Sequence, residues 1–228
     1  MFRAALGAGA ESVVNVGAGA GSYEPLGLRV TPVEPSRSTR AQRPRGLAEA
    51  VDAVDAGPSN CRSPTGAFDA AMTTFSVHQW SDPAAGLREM CRVTRGPVAV
   101  LTCDPGLVRG FWLYEYVPLV LDTQARRCPS VAGIADALGG TVTVTAVPIP
   151  LDCTDGFNEA YFGRPERFLD PVAVQACSAW SFVAEETRAR YVGRIKAALA
   201  DGSWGARHGA LRDAEAYEGS LVLIRSVR

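Results

Sequence analysis

The chain has 228 residues, of which 47% are hydrophobic and 21% charged, so it is long enough for a real core and reads as globular rather than disordered. Lys and Arg number 23 against 24 Asp and Glu, and the net charge of −1 argues against a nucleic-acid binder with a basic footprint or a membrane-surface protein. The longest apolar stretch, Phe111–Leu121, is broken by Glu115 and Pro118 and falls short of the roughly 20 apolar residues that a membrane span needs.

Near the N-terminus, Arg3 precedes a small-residue run that contains Glu11, and no secretory signal is expected. The six cysteines form no Cys-x-x-Cys pair, and only His78 and His208 could join them on a metal. The expectation is reduced thiols in a cytoplasmic protein, each a small core residue, with no metal site.

Short strand-like runs alternate with helical stretches, which indicates an α/β sheet. Val13–Val16 is the first expected strand, Leu28–Val33 the second and Ala50–Val54 a weak third. Ala56–Gly66 is polar and rich in Pro, Ser and Gly, and is expected as a mobile loop. Phe68–Phe75 is the fourth strand, ending in β-favouring Thr73, Thr74 and Phe75. A helix follows at Asp82-Pro83, with Asp82 as N-cap and Gly96 as a left-handed stop. Pro97–Cys103 is the fifth strand, and its apolar run Val98–Leu101 suits a central parallel position.

Gly106–Gly140 is a long connection rich in aromatics. Thr141–Ile149 and Ser220–Val227 are the last strands, separated by helices starting at Pro171 and covering about Glu185–Leu199. Connections of this length are usually functional or carry their own helices. No internal repeat and no interdomain linker is evident, so residues 1–228 are expected as one domain.

The strongest local signal is Val13-Val14-Asn15-Val16-Gly17-Ala18-Gly19-Ala20-Gly21-Ser22, a strand, a glycine bend and a helix start. Glycines let the backbone turn sharply and approach a ligand closely. The second strand ends in Val33-Glu34-Pro35-Ser36, where a carboxylate can accept hydrogen bonds from a ribose diol. Together they describe a nucleoside-binding crevice at the carboxyl ends of strands. Ser22 stands where the dinucleotide pattern G-x-G-x-x-G requires glycine, which counts against a nicotinamide oxidoreductase.

These segments, followed in order by Ala67-Phe68-Asp69-Ala70-Ala71, Ser76-Val77-His78-Gln79-Trp80, Leu87–Val93 and Val98–Thr102, resemble class I S-adenosylmethionine-dependent methyltransferases of the small-molecule, type-11 branch. The resemblance implies a Rossmann-like, seven-stranded, mostly parallel sheet with the last strand antiparallel. Helical insertions at 106–140 and 151–219 would cover the substrate. Gly17, Gly19 and Gly21 would pass beside the amino-acid part of S-adenosylmethionine, and Glu34 would hold the ribose. Asn15, Tyr23, Pro35, Ser36, Thr74 and Phe75 would complete the cofactor site, with Asp55 toward adenine.

Three features depart from the pattern. Asn15 replaces a usual acid, Asp55–Pro64 lacks the usual acidic-Leu-Pro-Phe segment, and twelve residues precede the first strand where the family has a helical cover. Either the substrate is covered by other means or the N-terminus is shortened.

Methyl transfer asks chiefly for alignment of nucleophile, methyl and sulfur. His78 is the candidate base by type, its alternative being packing with Trp80 under the next helix. Trp80, Phe111, Trp112, Tyr116, Asp155, Tyr161 and Arg164 are candidates to line the acceptor pocket. The aromatics among 111–116 could equally form a buried helix face, and Arg164 an ion pair with Asp155, Glu159 or Glu166. His208 is expected at the surface.

The expected activity is methyl transfer to an O, N or C atom of a small, partly apolar metabolite, by a monomer or homodimer that binds neither nucleic acid nor membrane. The alternatives are a cyclase or isomerase that retains the cofactor site, or a catalytically silent cofactor-binding partner protein.

Overall fold

The computed structural model describes residues 2–43 and 53–228, and these separate into two compact units. The first comprises the described parts of Met1–Thr102 with Pro129–Thr145 and Val222–Arg228; the second comprises Cys103–Cys128 and Ala146–Leu221. The segment 106–140, expected as one insertion, therefore divides: its last part returns to the first unit.

In chain order the elements are α1 (Phe2–Ala5), β1 (Ser12–Val16), β2 (Arg29–Val33), α2 (Arg37–Arg40), β3 (Ala70–Thr74), α3 (Pro83–Val93), β4 (Val98–Cys103), α4 (Pro118–Arg127), α5 (Val131–Leu138), β5 (Thr141–Ala146), β6 (Ile149–Pro150), α6 (Pro171–Ala176), α7 (Glu185–Ala200), α8 (Ser203–His208), β7 (Ala216–Tyr217) and β8 (Leu221–Val227). Short 3-10 turns fill several of the connections.

The sheet runs β2-β1-β3-β4-β8-β5 and is mostly parallel with one antiparallel strand. It has six strands where seven were expected. The weak third strand is reduced to a parallel bridge between Val33 and Val54, while its start at 50–52 lies outside the described residues. Val54 donates to Pro32 O and accepts from Glu34 N, so the described end of this segment borders β2.

β1 leads into the glycine bend. Val13, Val14 and Val16 are fully buried, as a strand paired on both edges and covered on both faces requires. Its register sets Asn15 opposite Pro32 of β2 and Met72 of β3. The chain then leaves the sheet into the glycine bend, where Gly17 N and Ala18 N both donate to Val33 O.

α3 starts as its sequence dictates: Asp82 accepts from Ala85 N at 2.8 Å and Pro83 occupies the first turn. It buries Leu87, Met90 and Val93 against Ile134 and Leu138 of α5 and Val222 and Ile224 of β8. Each of the larger side chains contributes about 1.5–3 kcal/mol by burial.

The end of α3 differs from expectation. The cap is Thr94, in an extended conformation, and Gly96 is not left-handed. Gly96 is glycine for space, because a Cβ there would stand 2.3 Å from Asp69 O. The expected loose loop at 56–66 is also tied down: Ala56 and Cys61 are buried, and Cys61 N donates to Glu89 of α3.

The second unit is built around aromatic side chains. Trp112 packs edge-on against Tyr116, Phe168 and Trp204, and its indole N–H donates to Phe162 O at 2.8 Å. Trp180 stacks on Phe168 and donates to Asn158 Oδ1, whose amide in turn donates to Gln124. Buried Glu159 accepts from the Ser220 N–H and hydroxyl; burial pushes its carboxyl up, and the Ser220 bonds hold it back. His208 is not a surface loop residue. It ends α8 beside Trp112 and Trp204, with Nε2 3.3 Å from Glu115 Oε1.

Candidate cofactor site

The first unit gathers the glycine bend, the end of β2 and the end of β3. All three glycines of the bend have positive φ: +68° at Gly17, +55° at Gly19 and +92° at Gly21. Their surroundings differ. A Cβ on Gly17 would collide with the Ser76 hydroxyl at 1.7 Å, so that position is filled by Ser76, itself held by Trp80 Nε1 at 2.7 Å. A Cβ on Gly21 would meet the Arg43 guanidinium at 3.2 Å. Gly19 alone of the three faces open space among the described residues.

Glu34 stands at the end of β2, 8% exposed, and spans from strand to bend. Its carboxylate accepts from Gly19 N at 3.0 Å and from Ser36 N at 2.8 Å. Two hydrogen bonds leave further acceptor capacity on both oxygens. Ser36 caps α2 and is half-buried, whereas Pro35 is exposed. Asp55 is exposed and pairs with Arg40 at 3.0 Å; Arg40 also donates to Glu34 O.

At the end of β3, Thr74 is half-buried and Phe75 has φ +49°. A bulky residue in that region costs on the order of 1–3 kcal/mol and persists only where the surroundings impose it. Phe75 N is fixed to Leu101 O, and its ring meets that of Tyr23 at 5.6 Å. The structure thus brings Tyr23 and Phe75, candidates from different segments, into contact. His78 lies two residues into the turn that follows, half-buried.

Asn15 is 1% exposed. Its amide donates to Glu24 at 3.2 Å, while Oδ1 lacks a hydrogen-bond partner among the described residues. Glu24 also takes two hydrogen bonds from Arg43, at 2.8 and 2.7 Å, and Arg43 donates to Gly19 O at 3.1 Å. Neither Glu24 nor Arg43 was among the sequence candidates. The one available signal was Asn15 itself: an uncharged residue where a carboxylate is usual leaves a carboxylate to be found elsewhere.

The acceptor-pocket candidates fall mostly in the second unit, and several are core. Phe111 and Trp112, expected as a pocket wall, are 1% and 6% exposed and packed on each other, so the buried-helix reading fits them better. Tyr116 is buried and its hydroxyl accepts from Arg207 at 2.6 Å. Tyr161 packs edge-on to Phe168. Arg164 forms no carboxylate pair; it donates to Cys153 O and Ala160 O and lies over the Tyr161 ring. Asp155 is half-buried and accepts from its neighbour Gly156 N. In the first unit, Trp80 covers Gly86 of α3, where a Cβ would be 2.5 Å from the indole, so it packs under the helix.

Among the described residues no group of three or more His, Cys, Asp or Glu is placed to hold a metal, and no helix is long and apolar enough to cross a membrane.

Residues 12–98 match the methyltransferase domain family. No curated protein sequence matches the chain. Among solved structures, a candidate methyltransferase from an antibiotic biosynthesis pathway of Anabaena variabilis aligns over 95% of this chain and 90% of its own, at 24% identity and a TM-score of 0.85. The YcgJ protein of Bacillus subtilis aligns over 99% and 98%, at 15% identity and 0.55. The [4+2]-cyclase SpnF aligns over 96% and 75%, at 16% and 0.55. The fold is that of class I S-adenosylmethionine-dependent methyltransferases, and residues 12–98 are similar to the methyltransferase domain family.

The residues present fit that cofactor. The open bend at Gly19 admits a ligand, Glu34 has acceptor capacity for a ribose diol, and the orphaned Asn15 Oδ1 awaits a donor. The matched segment and the fold support S-adenosylmethionine as the cofactor.

Proposed function

We propose that the protein transfers the methyl group of S-adenosylmethionine to an O, N or C atom of a small, partly apolar metabolite. The observation that carries this reading is the bend at Gly19, open to a ligand and tied by its own N–H to the carboxylate that ends β2. When bound, the cofactor supplies an electrophilic methyl that leaves S-adenosylhomocysteine behind once transferred. The chain's task is then to fix, align and dehydrate.

Glu34 and the bend hold the nucleoside, and Tyr23 and Phe75 present a rigid aromatic wall beside it. Positioning of this kind can lower a barrier by up to about 7–11 kcal/mol. An O–H or N–H nucleophile must also lose a proton, and His78 is the side chain assigned to take it. The net charge of −1 supports a small-molecule acceptor rather than nucleic acid.

The test pairs calorimetry of S-adenosylhomocysteine with transfer of label from methyl-labelled S-adenosylmethionine to a panel of small phenols, amines and activated carbon acids. Binding and labelled product are expected. Absence of binding overturns the reading. Conversion of an acceptor with the label retained on the cofactor makes the protein a cyclase or isomerase instead. His78→Ala should lower turnover by about 10²–10⁴-fold with little change in cofactor affinity; near-normal turnover would assign His78 to packing.

A further inference from the structure

Glu24 and Arg43 form a half-buried ion pair on the glycine bend, and two polar atoms unpaired among the described residues accompany them. The side chains of Arg43 and Glu24 are only 8% and 20% exposed. Both Glu24 oxygens face Arg43, one of them also takes the Asn15 amide, and Arg43 reaches Gly19 O. Asn15 Oδ1, an acceptor, and Arg43 Nε, a donor, are buried without hydrogen-bond partners among the described residues. A buried polar group left unpaired is costly. Other such atoms occur at Thr73, Thr94, Arg164, Trp204 and His208, whereas here an acceptor and a donor flank one ion pair on the bend.

An orphaned acceptor beside a carboxylate suits an ammonium group, and an orphaned donor on a guanidinium suits a carboxylate. The inventory is thus complementary to an α-amino acid zwitterion. A zwitterion also adds no net charge to a half-buried pair, whereas either ion alone would leave one unbalanced.

We propose that Glu24 and Arg43 are the receptor for the amino-acid end of the cofactor, with Glu24 receiving the ammonium together with Asn15 Oδ1 and Arg43 the carboxylate. This assignment rests on the cofactor reading given above. It accounts for Asn15: the negative charge has moved from the end of β1 to Glu24, nine residues on, and the amide of Asn15 holds it there. In the ligand-free state the two charges neutralise each other, which keeps the bend folded until a zwitterion divides them.

The experiment is calorimetry of two ligands on the full chain: S-adenosylhomocysteine, which has the amino-acid end, and 5′-methylthioadenosine, which lacks it. Wild type, Glu24→Gln and Arg43→Gln are compared, with thermal melts to confirm folding. Each variant should lose about 10- to 100-fold in affinity for S-adenosylhomocysteine, while 5′-methylthioadenosine changes by less than about 2-fold. Adding Asn15→Asp to Glu24→Gln should recover part of the loss, because it returns a carboxylate to the end of β1.

Unchanged affinity for S-adenosylhomocysteine overturns the proposal. So does tighter binding, which would make the pair a plug that the ligand must displace, and so does an equal loss for both ligands, which would mean general damage to the bend. A wild-type protein that binds neither ligand overturns the cofactor reading itself, and with it this one.

Discussion

Two regions differ in backbone strain and in what their buried polar groups face. At the glycine bend the backbone is left-handed at three glycines and at Phe75, and a carboxamide oxygen and a guanidinium nitrogen lie buried without partners. In the aromatic core of the second unit, Trp112 donates to Phe162 O, Trp180 to Asn158, and Glu159 accepts from Ser220, while Trp204 Nε1 and His208 Nε2 lack hydrogen-bond partners among the described residues. Two arginines make the contrast concrete. Arg164 donates from Nη2 to the carbonyls of Cys153 and Ala160 and so ties its own loop, with Nε left without a partner among the described residues. Arg43 pairs with a carboxylate and leans on a bend that has open space at Gly19. Backbone strain gathers at the bend and at Phe75. Unpaired buried polar atoms occur in both units: Asn15 Oδ1, Arg43 Nε, Thr73 Oγ1 and Thr94 Oγ1 in the first, and Arg164 Nε, Trp204 Nε1 and His208 Nε2 in the second. What sets the bend apart is that its two unpaired atoms flank one ion pair beside Gly19.

The largest expected effect tests the scaffold side. Trp112→Ala should cost about 3–5 kcal/mol of stability in denaturant unfolding, through the cavity it leaves among Phe111, Phe168 and Trp204. A loss below about 1 kcal/mol would return Trp112 to the role of pocket wall. On the site side, Gly19→Val places a β-branched residue at φ +55° and a side chain in the open space of the bend. Affinity for S-adenosylhomocysteine should fall at least about 100-fold. Retained affinity would dissolve the contrast, because the bend would then be only a turn.

Glu34→Ala should weaken the same ligand by about 1–3 kcal/mol, with calorimetry as the readout. No change would remove Glu34 from the site.

The smallest effect sharpens the comparison from within the first unit. Asp69 accepts from Ser12, Glu11 and Arg95, and the Arg95 bond, followed by those from Ser12 and Glu11, holds its carboxyl well below the usual range. A depressed carboxyl stabilises the fold above its ordinary value of 3.8, and that contribution fades as pH falls below it. Asp69→Asn should therefore lower Tm at pH 7, and the gap to wild type should narrow in scans taken progressively below pH 4. A gap independent of pH would mean that the charge of Asp69 is irrelevant.

Much of the scaffold was legible because local rules decided it. The valines of β1, the Asp82-Pro83 start of α3 and the acid ending β2 each announce themselves within a few residues. The rest depended on what comes near in space. Gly96 follows a helix, as a left-handed stop would, yet Asp69 O is what excludes its side chain. Ser76 fills the space at Gly17 from a segment far along the chain. Phe111–Tyr116 carries an apolar pattern that serves a pocket wall and a core equally, and only burial separates them. Glu24 and Arg43 stand nineteen residues apart and meet only once the bend has closed.

The most direct measurement is a crystal structure of the chain with S-adenosylhomocysteine. The adenosyl group is expected along the bend at Gly19, with the ribose hydroxyls on the Glu34 carboxylate. Ligand bound at another place, or a bend still closed on itself under saturating ligand, would contradict it.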